Sequence, residues 1–200
     1  MSIPTERQAY AFLGPLRGNS SAFLVAGKKG NMIFTTFVLA CVARLRMTAL
    51  MLDTSCFYTS HIERLTSKLP RAFLERSRIL TISEGKTPQD VISALLTREE
   101  AKVVLIDDLN SLNALMGRGD RTSSSHELFV LIRLLSYTAR IHNTPVLASV
   151  YKSHGTNLNS RRSLAASTDL QVNTEAKPSY IAFKCDKTGV WPNKSFTAIL

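Results

Sequence analysis

Five apolar runs of strand length, separated by longer segments with helical periodicity, constrain this chain more than any other feature. The runs are Ala22–Ala26, Thr48–Asp53, Ile79–Ile82, Lys102–Asp107 and Pro145–Val150. Each is nearly continuous in apolar residues rather than alternating, the pattern of a strand covered on both faces. Between them lie Ile33–Arg46, Ser60–Lys68, Pro88–Leu96 and Glu127–His142. The last of these places Leu128, Leu131, Ile132, Leu135 and Ala139 on one stripe at helical spacing. Strands alternating with helices predict an α/β fold, with a mostly parallel twisted sheet flanked by helices. After residue 165 the pattern shortens to Thr168–Asn173, Ser179–Cys185 and Ser195–Leu200, with turn signals at Lys177-Pro178 and Trp191-Pro192-Asn193. This change predicts an antiparallel extension at one sheet edge.

The 200 residues suffice for one sizeable core and are few for two, so residues 1–200 read as a single domain. The early helical segment is free of charge only from Gly30 to Ala43, shorter than the roughly 18 to 20 residues of a bilayer span. The first ten residues lack a basic stretch leading into an apolar one, so no secretory signal is read there and an intracellular protein is expected. Cys41, Cys56 and Cys185 are odd in number and scattered, which speaks against a disulfide framework, and no Cys/His spacing suggests a metal site. Lys and Arg number 25 against 15 Asp and Glu, for a net charge of +10. The excess is evenly spread, with 13 basic and 8 acidic side chains in residues 1–100 and 12 and 7 in residues 101–200. A uniformly basic chain favours polyanionic partners, nucleic acid first among them.

The first strand runs into Gly27-Lys28-Lys29-Gly30-Asn31 and then a helix, the strand, glycine loop and helix order of a phosphate cradle. A working cradle of this kind reads GxxxxGK[ST]. Laid from Gly27, that pattern puts Met32 at the second glycine, Ile33 at the lysine and Phe34 at the magnesium-binding hydroxyl. Moving it by one residue brings Thr35 to the hydroxyl and leaves Phe34 at the lysine. Lys28 or Lys29 would have to stand in for the missing cation. The fourth run ends in Asp107-Asp108, where a carboxylate closing a buried strand either holds Mg²⁺ or caps the following turn. Two polar segments, Met116–Ser125 and Lys152–Ser163, follow strands and read as loops at the end of the sheet where ligands of open parallel sheets bind.

Together these residues resemble the core ATPase domain of the RecA-like recombinases, in particular the RadA-type branch and its paralogues. Phe12-Leu13-Gly14-Pro15-Leu16-Arg17-Gly18 resembles the family's approach to the phosphate loop. Leu52-Asp53-Thr54-Ser55-Cys56-Phe57-Tyr58 with Ile62-Glu63-Arg64-Leu65 is similar to its second-strand signature, with one residue inserted. Leu105-Ile106-Asp107-Asp108-Leu109-Asn110-Ser111-Leu112 resembles the metal-binding strand, and Pro145–Tyr151 resembles the strand that ends in a nucleotide-sensing glutamine. The resemblance implies a RecA-like P-loop NTPase fold. It also implies that Met116–Ser125 and Lys152–Ser163 occupy the places of the two DNA loops, with Arg118, Arg121, Lys152, Arg161 and Arg162 as DNA-binding residues. Tyr151 and His154 are candidates for stacking on bases.

The departures carry equal weight. By this resemblance, Ile33 stands at the position of the phosphate-loop lysine, Ser55 at that of the catalytic glutamate and Tyr151 at that of the sensor glutamine. Their joint loss removes the clamp, the water activator and the sensor, each a contributor of several kcal/mol to lowering the barrier. No catalytic residues, no metal site and no ATP·Mg²⁺ cofactor are therefore expected. What remains of a nucleotide site is Gly27, Lys28, Lys29, Gly30, Thr35 and Asp107. The expected function is a non-hydrolysing RadA-type paralogue, an accessory of homologous recombination and DNA repair. It would bind single-stranded DNA, a recombinase or another paralogue, as a hetero-oligomer rather than a self-filament, because no clear Phe-x-x-Ala motif precedes the core. The setting would be the cytoplasm and nucleoid of an archaeon or the nucleus of a eukaryote, with no role for a membrane. The competing expectation is a RecA-fold pseudo-ATPase scaffold, of the kind found in tRNA-modification rings or KaiC-like signalling modules. An active ATPase working through Lys28 or Lys29 with Asp107 ranks last.

Overall fold

The computed structural model describes residues 4–81, 103–116, 121–151, 168–185, 187 and 189–200. Thr5 opens the first helix, α1 (Glu6–Leu13), through a reciprocal pair of bonds. Its hydroxyl accepts the Gln8 N–H at 3.2 Å and the Gln8 side chain accepts the Thr5 N–H at 2.8 Å. A short 3-10 turn leads to β1 (Ser20–Val25), α2 (Gly27–Arg44), β2 (Ala49–Asp53), α3 (Phe57–Thr66), α4 (Arg71–Arg76) and β3 (Arg78–Thr81). There follow β4 (Val103–Ile106), α5 (Leu109–Met116), α6 (Arg121–Ile141), β5 (Val146–Tyr151), β6 (Leu170–Ala176), β7 (Tyr180–Cys185) and β8 (Ser195–Ile199).

The eight strands form one sheet in the order β3-β2-β4-β5-β1-β6-β7-β8. The five apolar runs of the sequence are β1 to β5, which run parallel, and in the inner four, β1, β2, β4 and β5, their continuous apolarity has the expected cause, since helices cover both faces. Within each run successive side chains alternate between two cores. Met51, Val103, Leu105 and Leu147 face α1, α2 and α3, while Leu50, Leu52, Val104, Ile106 and Ala148 face α5 and α6. The first core is aromatic. Phe12 of α1 lies with ring centroids 4.8 Å from Phe183, 5.1 Å from Phe37, 5.5 Å from Phe196 and 5.9 Å from Trp191. The Trp191 indole N–H also donates to the Phe12 carbonyl at 3.4 Å, which ties the C-terminal strands to the first helix.

Several expectations need correction. The C-terminal extension is not antiparallel throughout: β6 lies beside β1 and runs parallel to it, and direction reverses only at the β6–β7 and β7–β8 hairpins. Alternation of short runs carries no information on direction, and the turn signals sit after β6 rather than before it. Gly27–Asn31 is not a loop, because α2 begins at Gly27 and Ala26 alone separates it from β1. Gly27, at φ +64°, makes the bend out of the strand, a conformation that glycine adopts without penalty. Met116–Ser125 is likewise not one loop, since Met116 ends α5 and Arg121–Ser125 open α6. Helices α1, α4 and α5 are additional to the expected set. The expected helix Pro88–Leu96 lies outside the described residues. No helix among the described residues is long and apolar enough to cross a membrane.

Candidate functional site

The C-terminal ends of β1, β2, β4 and β5 converge on Asp107. This residue follows β4 directly and is fully buried. Its carboxylate is satisfied by the segment after β2. One oxygen accepts the Thr54 N–H at 2.7 Å and the Thr54 hydroxyl; the other accepts the Ser55 N–H at 2.8 Å and the Ser55 hydroxyl at 2.7 Å. The Thr54 hydroxyl also reaches the Asp108 carbonyl at 2.9 Å, so its one proton is shared between two acceptors, and these groups take up most of the roughly four lone-pair positions of the Asp107 carboxylate.

The two neighbouring aspartates are engaged as well. Asp53 accepts the N–H groups of Tyr58 at 3.1 Å and Thr59 at 2.9 Å, which satisfies the orphan donors at the start of α3. Asp108 accepts the Asn110 N–H at 3.1 Å, the Ser111 N–H at 3.1 Å and the Ser111 hydroxyl at 2.8 Å, and so caps α5. Burial raises the Asp108 pKa above its ordinary value, against the pull of these hydrogen bonds. Of the two roles open to the Asp107-Asp108 pair, capping falls to Asp108.

Asn31, in the second turn of α2, fills the space between α2, β4 and β5. Its amide donates to the Tyr151 hydroxyl at 2.9 Å and to the Asp107 carbonyl at 3.4 Å, and its carbonyl accepts the Ser149 hydroxyl at 2.6 Å. Thr35, one turn on, reaches the same carbonyl at 3.5 Å. Asn31, Thr35 and Ser149 are all buried. Burial pushes the Tyr151 phenol up to about 12, with the Asp108 and Asp107 charges acting in the same direction against the Asn31 hydrogen bond. Burial likewise raises Tyr58, with further contributions from Asp107, Asp53 and Tyr151.

The structure thus joins Asp107, Ser55, Tyr151 and Thr35 in one buried hydrogen-bonded cluster. Lys28 and Lys29 stand apart, exposed on the first turn of α2, with Gly27 exposed and Gly30 buried in the same turn. Ile33 packs against the apolar core, and Phe34 stacks on Phe23 with ring centroids 4.6 Å apart. Asn31 was not singled out by the sequence reading, although it is a lone amide within the charge-free stretch from Gly30 to Ala43. Of the candidate DNA-binding residues, Arg121 is the first residue of α6, and Arg118, Lys152, Arg161 and Arg162 lie outside the described residues, as does His154. No group of His, Cys, Asp and Glu suited to a metal ion occurs among the described residues.

No protein-family model matches the chain, and no curated protein matches it by sequence. Similarity is evident in the fold. A solved structure described as "Crystal structure of the RadB recombinase" superposes with a TM-score of 0.66 at 19% identity, over 99% of this chain and 94% of that one. The likeness is one of fold: the chain shares the core architecture of that recombinase structure, a mostly parallel sheet flanked by helices.

Proposed function

We propose that this chain is a non-hydrolysing RecA-fold paralogue that assists homologous recombination by binding single-stranded DNA, a recombinase partner, or both. The observation that carries the reading is the engagement of both Asp107 oxygens by Thr54 and Ser55. A carboxylate that serves a metal-bound nucleotide keeps an acceptor direction open towards the ion; this one accepts from two backbone N–H groups and two hydroxyls. Ser55 supplies a proton donor to Asp107 where a water-orienting carboxylate would stand. Asn31 occupies the interior between α2 and Asp107 with its own hydrogen bonds, and α2 is wound from Gly27 onward, leaving no open backbone loop to surround phosphate oxygens. The residues present do not fit a nucleotide·Mg²⁺ group.

Binding is the remaining use of the fold. The net charge of +10 favours a phosphodiester partner, and the RadB recombinase offers the structural precedent for a role in recombination. In this reading Arg118, Arg121, Lys152, Arg161 and Arg162 contact the backbone of the strand, so that affinity falls steeply with salt and depends little on sequence.

Fluorescence anisotropy with a labelled single-stranded oligonucleotide over a salt series, with and without ATP·Mg²⁺, tests the proposal. The expected result is salt-sensitive binding that ignores ATP and weakens when Arg161 and Arg162 are changed to alanine, together with no phosphate release. ATP-dependent binding, or phosphate release abolished by Asp107→Asn, would refute the non-hydrolysing assignment. Absence of binding to DNA and to recombinases at low salt would refute the recombination role.

A further inference from the structure

The far end of the sheet carries a second feature. Helix α2 leaves the C-terminal end of β1 and runs back along the sheet, and its 18 residues span about 27 Å. Its last turn therefore lies at the N-terminal ends of the strands, away from Asp107. There it meets α4 and the segment that precedes it, and the two enclose a groove of about 380 Å³. The floor is apolar, made by Ala40, Ala43, Leu69 and Phe73, and the rim carries Arg44, Arg46, Lys68 and Arg76 without an acidic residue in the lining. All four cations are exposed. The nearby Glu75 is occupied by Arg71, with Nε and Oε1 3.0 Å apart. Arg76 is steadied by donation from its Nε to the Ala72 carbonyl at 2.9 Å.

Arg46 adds an independent observation. Helix α2 ends with the Arg46 N–H on the Ala43 carbonyl at 3.1 Å and the Met47 N–H on the Val42 carbonyl at 3.0 Å. That pattern places Arg46 in the left-handed position usually filled by glycine, at φ +55°. Helix α6 ends in the same way, but with Asn143 at φ +49°, the side chain best suited after glycine. An arginine held in strained backbone at the rim of a groove points to a use for its side chain.

We infer that this groove receives an acidic segment of a partner protein, which inserts one apolar side chain against Ala43 and Leu69 while its carboxylates meet Arg44, Arg46 and Arg76. The apolar floor and the cationic rim together define the occupant. Single-stranded nucleic acid is disfavoured because Phe73 is buried and offers no ring face for a base. A second copy of this chain is disfavoured because the exposed acids of the described residues, Glu6, Glu63, Glu75 and Glu175, stand on separate elements and form no acidic segment. The groove size suits one large side chain with its flanking backbone. The inference is independent of the reading of the Asp107 end.

The test is a peptide array in which one phenylalanine or leucine is stepped along a background of aspartate, glutamate, serine and glycine. The full chain is applied to it, and the best peptide is then labelled for anisotropy. The acidic peptides with an apolar anchor should bind, and the double variant Arg44→Glu/Arg76→Glu should weaken that binding by about tenfold or more. Arg46→Gly should weaken binding as well, while raising the temperature of thermal unfolding, an opposition that a purely structural role would not produce. Peptides lacking the apolar residue should bind less than those that have it. The inference is overturned if acidic peptides bind no better than neutral ones or if the double variant binds them unchanged. Displacement of the bound peptide by oligothymidylate would overturn it too, by making the groove a nucleic-acid surface; that outcome is separable from the DNA binding proposed above, which the Arg161 and Arg162 variants report.

Discussion

Replacing Asp107 by asparagine separates a structural carboxylate from one kept for a ligand. In the native chain the two oxygens share four donors, two of them backbone N–H groups that cannot turn away. An asparagine presents one oxygen and one amide nitrogen. The hydroxyl on the nitrogen side can rotate and become an acceptor, but one backbone N–H, of Thr54 or of Ser55, is left facing another donor. A buried unsatisfied donor costs about 1–3 kcal/mol, and bonds to the remaining oxygen fall from the charged range of about 1.5–3 kcal/mol to about 1. Burial of a neutral group in place of a charge offsets part of this. The net expectation is a loss of about 2–4 kcal/mol, a large share of the roughly 5–15 kcal/mol that holds a domain together. Urea unfolding followed by fluorescence of Trp191, the single tryptophan and a buried one, reads this directly. With a slope of about 2 kcal/mol per molar, the midpoint should fall by about 1–2 M. A midpoint that is unchanged or raised would refute the argument, because a carboxylate whose removal relieves the free protein is one held ready for an ion.

Other outcomes follow from the same geometry. Asp169 is partly buried, which alone would raise its pKa, but bonds from the Ser20 N–H, Arg140 and the Ser20 hydroxyl bring it below the ordinary value. Its contribution is therefore present above the unfolded carboxylate value and lost as the pH falls through the folded one; Asp169→Asn should flatten that part of the acid-unfolding curve, and an unaltered curve would disprove the assignment. Tyr151 is pushed up to about 12 and Tyr58 is raised as well, so in alkaline absorbance titration both should ionise above the ordinary tyrosine value or together with unfolding. Stability should accordingly decline as the pH rises beyond about 10, and Tyr151→Phe should remove the later step assigned to that residue. Phe12→Ala empties the centre of the aromatic cluster and should cost about 3–5 kcal/mol in the same urea assay. Arg46→Gly should gain about 1 kcal/mol, or about 2–4 °C in unfolding temperature.

The parallel sheet was legible because its signal is local: Val103–Ile106 or Val146–Val150 reads as a strand buried on both faces from its own composition. The start of α2 was not, since Ala26 supplies no capping side chain and Gly27-Lys28-Lys29-Gly30 reads as a loop until the chain is seen wound. In α1 the capping signal of Thr5 and Gln8 was present and went unread. The direction of β6 depends on β1, which no segment near residue 170 announces. At the site, the resemblance brought Asp107, Ser55 and Tyr151 into view, but the bonds that tie them span 52 and more positions along the chain. Asn31 illustrates the limit. Only its placement opposite Tyr151 and Ser149 distinguishes it from a stray amide on a helix.

The position of β1 in the sheet bears on how the chain is made. Its two neighbours are β5 and β6, and the bond from the Ser20 N–H to the Asp169 carboxylate that anchors its first residue spans 149 positions. At a synthesis rate of about 5–20 residues per second, an emerging chain carries Ala22, Phe23 and Val25 unpaired for roughly 6 to 25 seconds before β5 is available, and one edge of the strand stays open for longer, until β6 follows. During that interval the central strand of the finished molecule is its most exposed, and the ribosome-bound protein is where chaperone demand should concentrate.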